Sequence, residues 1–172
     1  MKRTLAITTV LFLFSALFFV CVCPAGDEGS LKGSWSGEMY VMGPGAGLDT
    51  GLCPVDTLLV ISIGKGVSSH SGASDYFGAL CWHQIDVTTT TMEGRGFAIL
   101  TGANGDKLFT NAILTSYGIG GPSGPWEEIE IITGGTGKFE GATGEGTAKG
   151  TWTLINPAMF SWTGKTNGLI GY

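Results

Sequence analysis

Charge is scarce in this sequence. Asp, Glu, Lys and Arg make up only 13% of the 172 residues, about half of the usual share of roughly 25%. After Ala25 the basic residues are Lys32, Lys65, Arg95, Lys107, Lys138, Lys149 and Lys165, and no two are adjacent. A phosphate-tracking surface needs clustered cations, which argues against nucleic acid as a partner. Helical patterning is missing too. No 12-residue stretch after Ala25 carries an apolar stripe of helical period. There are two histidines, His70 and His83, and no zinc-type ligand spacing. Ser68, Ser69 and Ser71 lie near His70, but no Gly-x-Ser-x-Gly elbow exists. Gly134-Gly135-Thr136-Gly137-Lys138 departs from the phosphate-loop pattern at both ends, with Ile132 at the first position and Phe139 after the lysine. No catalytic residue, cofactor or metal ligand is assigned.

The chain divides unevenly. Residues 1–25 contain no acidic residue and no glycine. Everything beyond them holds all 14 acidic residues, 7 of the 9 basic ones and all 30 glycines, for a net charge of −7. Lys2 and Arg3 precede an apolar run from Leu5 to Val22, and Cys23-Pro24-Ala25 offers small residues around a cleavage site. This predicts a signal peptide over 1–25 and a single domain over 26–172. The protein is then secreted, periplasmic or held in the cell envelope. The apolar run is long for a signal, so an uncleaved anchor stays open. Lipidation at Cys21 or Cys23 also stays open, although Val20 and Val22 stand where a lipobox wants a small residue. Contact with a membrane is expected only through such an N-terminus.

Export leaves Cys53 and Cys81 in an oxidising space, where two cysteines allow one intramolecular pairing. A disulfide is favoured over two buried free thiols. It would close a loop of about 28 residues.

Period-two alternation replaces the missing helical stripe. Strands are expected near 31–42, 55–65, 67–77, 80–91, 94–103, 106–117, 126–133 and 145–155, with a last one near 159–171. Asn104-Gly105-Asp106 between two of these runs is a hairpin signal, because Asn and Gly both accept positive φ. Many short strands with glycine-rich turns predict an antiparallel barrel or sandwich. Glycines inside the strands, among them Gly33, Gly37, Gly94, Gly96, Gly150 and Gly164, permit tight bends at barrel corners and favour the barrel. Gly33-Ser34-Trp35-Ser36-Gly37 and Ser161-Trp162-Thr163-Gly164 carry similar text. If the first and last strands pair, the barrel closes and no edge remains.

The segment from Gly94 to Trp152 adds a more specific likeness. It contains Gly94-Arg95-Gly96-Phe97, then Leu100-Thr101-Gly102-Ala103-Asn104-Gly105-Asp106, then Gly134-Gly135-Thr136-Gly137-Lys138-Phe139-Glu140-Gly141-Ala142-Thr143-Gly144 and Gly150-Thr151-Trp152. This resembles the allene oxide cyclase-like barrel, a calycin-type fold shared with plant dirigent proteins and with uncharacterised exported bacterial proteins. The resemblance implies an all-β, closed or nearly closed antiparallel barrel of about eight strands. It implies that Lys138-Phe139-Glu140 forms a short connection with Phe139 plugging one barrel end. It carries no catalytic position onto this chain, and dirigent-like barrels are often homo-oligomers.

Two candidate sites follow. Glu128 and Glu130 alternate with Ile129 and Ile131, which predicts a solvated outer face for the carboxyls. If that face were the lumen, the pair would be a proton-transfer candidate with a raised pKa. The aromatic residues Trp35, Trp82, Trp152, Trp162, Phe97 and Phe109, with Trp126, are candidates to line a lumen for a small apolar ligand, or to fill the core outright. The expected function is an exported, non-catalytic barrel. The alternatives are a barrel isomerase or cyclase and an oligomeric surface-interaction module.

Overall fold

A computed structural model describes residues 28–44, 52–86 and 88–172. The export, anchoring and lipidation readings of residues 1–25 lie outside the described residues. Eight strands follow in chain order: β1 (Gly29–Pro44), β2 (Leu58–Ser68), β3 (Gly72–Asp86), β4 (Thr91–Gly102), β5 (Lys107–Ser116), β6 (Ser123–Gly135), β7 (Thr143–Asn156) and β8 (Met159–Gly171). Each pairs antiparallel with the next, and β8 returns to pair with β1, so the barrel closes. The two similar text segments meet in that seam. Trp35 stands opposite Gly164, and Gly37 stands opposite Trp162.

The local chemistry explains the meander. Asn104 and Gly105 turn the chain between β4 and β5, with Gly105 at φ +86° and the Asn104 side chain accepting from the Asp106 N–H. One strand, β3, replaces the two expected near 67–77 and 80–91. Ser69, His70 and Ser71 form the turn before it, and Gly78 lies in its middle rather than at a break. A Cβ on Gly78 would come within 2.8 Å of the Tyr76 hydroxyl oxygen, so the glycine makes room for that ring.

The same use of glycine recurs around the barrel. All five indoles are buried, and each lies where a glycine on another strand has no Cβ. Trp35 covers Gly66, Trp82 covers Gly94, Trp126 covers Gly164, Trp152 covers Gly124 and Trp162 covers Gly64. A barrel of eight strands leaves an interior just wide enough for side chains. Bulky rings fit there only if facing positions are small. The interior glycines therefore seat indoles, in addition to easing strand curvature.

One end of the barrel is shut by the β6–β7 connection. Gly137–Phe139 forms a single 3-10 turn and Phe139 is fully buried. Thr136 straps this turn to β5 through bonds from its N–H to the Lys107 carbonyl (2.7 Å) and from the Lys107 N–H to its hydroxyl (3.0 Å). Leu31, Leu100, Leu108, Ile132, Ala142 and Ile170 belong with Phe139 to the main buried core.

A second, smaller cluster sits outside the barrel wall. Cys53 and Cys81 form a disulfide with Cα atoms 5.4 Å apart. Cys53, Leu59 and Ala79 are buried together, with Ile61 and Phe97 packed against them. The bridge thus holds the segment before β2 over the outer face of β2, β3 and β4.

Candidate functional site

Strand β6 turns the expected faces inside out. Glu128 and Glu130 are 5% and 7% exposed, whereas Ile129 and Ile131 are 52% and 48% exposed. The carboxyls point inward because they share a face with Trp126 and Ile132, both core residues. Those two residues fix the phase of the strand, and the isoleucines between them are left outside. Trp126 and Ile132 are the sequence signal that would have identified the face.

The neighbouring strands make space for both acids. Glu128 lies between Leu114 on β5 and Ala148 on β7. Glu130 lies between Ala112 on β5 and Gly146 on β7. Both line a cavity with Trp35, Met39, Ser62, Tyr76, Trp126, Trp162 and Thr166. About 20 Å³ of it is open to the centre of a water molecule, enough for one water-sized group. Glu128 Oε1 and the indole N–H groups of Trp126 and Trp162 are buried without a hydrogen-bond partner among the described residues.

Burial controls the electrostatics. Desolvation raises the Glu128 carboxyl well above its ordinary range, and the charge of Glu130 adds to the rise. Desolvation pushes Glu130 up to about 7. The Tyr76 phenol is raised by desolvation first, then by the charges of Glu128 and Glu130. At neutral pH the pair therefore retains at least one proton, and Tyr76 remains neutral. A carboxyl held protonated in an apolar site can donate a hydrogen bond or a proton.

The predicted aromatic residues divide into three groups. Trp35 and Trp162 line the cavity, together with Trp126. Trp82 and Trp152 are buried in the core but do not line it. Phe97 and Phe109 do not face the lumen. On β4 the inward phase belongs to Gly94, Ala98 and Leu100, and on β5 to Leu108, Thr110, Ala112 and Leu114. Phe97 instead joins the outer disulfide cluster, with its ring 6.3 Å from that of Phe77. Phe109 stands on the outer face opposite Ile99.

The serines near His70 assemble no triad. Ser68, Ser71 and Ser74 form a buried hydroxyl chain with 2.6 Å links. The His70 ring contacts the Ser30 carbonyl and the Tyr172 hydroxyl instead. Among the described residues no three His, Cys, Asp or Glu side chains converge as metal ligands.

Outside the wall, a cleft of about 700 Å³ runs over Ser36–Glu38, Ile63–Lys65, Asp75 and Ser161–Thr163. It is also lined by Tyr76 and Trp162, which line the inner cavity. These rings pack edge to face, 5.3 Å between centroids. Gly37 and Gly64, paired across β1 and β2, present no side chain in front of them.

The fold is similar to that of the pterocarpan synthase dirigent protein PsPTS1, at 13% identity, TM-score 0.50, 86% of this chain and 97% of that one. The structure of the pterocarpan synthase dirigent protein GePTS1 also matches, at 14% identity and TM-score 0.48 over 85% of this chain and 87% of that one. No family model matches the chain, and no curated protein matches its sequence. The likeness to PsPTS1 supports a dirigent-like barrel fold. The disulfide is consistent with an oxidising, extracellular setting.

Proposed function

We propose that this protein is an exported dirigent-like barrel whose lumen binds a small, mostly apolar molecule without turning it over, with residues 1–25 acting as its export signal. One observation carries the reading. The interior is aromatic, yet it encloses a carboxyl pair, and an oxygen of Glu128 lacks a partner among the described residues. Buried polar atoms are ordinarily satisfied, and those that are not call for an explanation such as a ligand. The cavity matches one water-sized group. A larger guest requires Tyr76 or Trp162 to swing toward the outer cleft. Fold likeness alone supplies no substrate.

A second reading, a barrel isomerase or cyclase of the allene oxide cyclase or dirigent kind, draws on the same pair. Burial raises both Glu128 and Glu130 above the ordinary carboxyl range, so a carboxyl of the pair that keeps its proton would serve as an acid toward an apolar substrate.

Native mass spectrometry of the mature protein, purified from its own compartment, tests the first reading. A retained small molecule, together with a chain beginning near Gly26, is the expected result. A bare chain that also takes up no small molecule in titration overturns it. Turnover of a bound compound would move the assignment to the second reading.

A further inference from the structure

We propose that the lumen cavity takes the head group of a protonated primary amine, seated against Glu128 and Glu130 and admitted through the cleft over Tyr76 and Trp162. This rests on the reading of the lumen as a ligand site and names the ligand class.

Charge is the first argument. Among the described residues, the inward faces carry three ionisable groups, Tyr76, Glu128 and Glu130, and no Lys, Arg or His. The register neighbours of the two acids on β5 and β7 are Leu114, Ala112, Ala148 and Gly146, which hold no charge. An acid pair that has no counterion among the described residues, and whose Glu128 has an oxygen unpartnered there, is completed by a cation with N–H donors. The second argument is the wall. Trp35, Tyr76, Trp126 and Trp162 form a chain of tilted rings with centroids 5.3–6.3 Å apart. Aromatic faces attract ammonium groups, and more strongly when water is excluded. The third is size, since a water-sized space is also the size of an ammonium group. The entrance agrees in sign. Glu38 and Asp75 flank the cleft, and its one cation, Lys65, pairs with Asp75 at 3.4 Å.

Seating the cation requires one carboxyl to ionise, so its proton leaves to solvent. With Glu130 near 7, amine affinity should rise about tenfold per pH unit below that value and level off above it.

The test titrates the mature, disulfide-intact protein with methylamine, ethylamine and benzylamine, and with methanol, ethanol and benzyl alcohol as neutral counterparts. The readout is the set of indole N–H signals in ¹H–¹⁵N spectra. At pH 8 at least one amine should shift the Trp126 and Trp162 signals and bind at least tenfold tighter than its alcohol. The E128Q/E130Q variant should keep a folded spectrum and lose the preference. Alcohols binding as tightly as amines would overturn the amine assignment and leave the lumen-site reading standing. A preference that survives in E128Q/E130Q puts the cation elsewhere and also overturns it. If no probe moves the lumen indoles, both the assignment and the lumen-site reading fall.

Discussion

The indole of Trp82 occupies the space in front of Gly94, its register partner on β4, and a Cβ on that glycine would overlap the ring. Trp82 is 3% exposed, so the ring has little room to retreat. Gly94→Ala should therefore destabilise the barrel by about 1–3 kcal/mol, the usual range for overpacking. Trp82→Leu in the same chain should recover part of the loss. Urea melts of the two single variants and the double variant give the coupling directly. Additive effects would mean that the indole does not need the glycine.

The buried carboxyls set the direction of pH dependence. Burial pushes Glu130 up to about 7 in the folded chain against an ordinary value of 4.5, and it raises Glu128 well above that ordinary value too. Above about pH 4.5 the unfolded chain releases protons that the folded chain still holds. Stability should therefore fall as pH rises from 4.5 through 7 and beyond, by on the order of 3 kcal/mol for Glu130 alone. Glu130→Gln should be more stable than the parent at pH 8 and should flatten the profile. Thermal melts from pH 4.5 to 9 check this, and a profile that rises over the range would contradict the burial of the pair.

The disulfide fastens an outer segment and crosses no seam of the barrel. Reduction, or the pair Cys53→Ala and Cys81→Ala, should cost about 2–4 kcal/mol. It should release the packing over Leu59 and Ala79 and leave the eight-strand ladder intact. Hydrogen exchange would show the loss of protection confined to β2, β3 and β4. Two titratable thiols in the unfolded, unreduced protein would mean that the bridge does not form.

Phe139 is the plug of one barrel end. Phe139→Ala should cost about 3–5 kcal/mol, the range for emptying a fully buried aromatic site. Because the turn is also strapped by Thr136 to Lys107, the strand register should survive. Hydrogen exchange at Leu31, Leu108 and Ile170 should accelerate first.

Some of this was legible in the residues themselves. The turn at Asn104-Gly105 follows from which residues accept positive φ, a local property. The barrel and its seam followed from alternation, glycine-rich turns and the paired tryptophan text at both ends. Nine runs were expected and eight strands form, because most of 67–77 and 80–91 belongs to one strand, β3, which continues through Gly78. The role of that glycine depends on Tyr76, two residues away on the same face, and on how little room the interior leaves.

The sequence by itself determined that this chain forms many short antiparallel strands, that its two cysteines beyond the N-terminal run can pair, and that its basic residues beyond that run are scattered singly. Only the tertiary structure decided which face of each strand looks inward. Alternation states that two faces differ; it does not say which is wet. On β6 the choice was made by Trp126 and Ile132 packing into a closed ring of strands, with alanine and glycine opposite. That packing carries two glutamates inside and leaves Ile129 and Ile131 in water. The candidate site exists because closing the barrel fixed every strand's phase at once, and the cost of burying two carboxyls was outweighed by the core it completed.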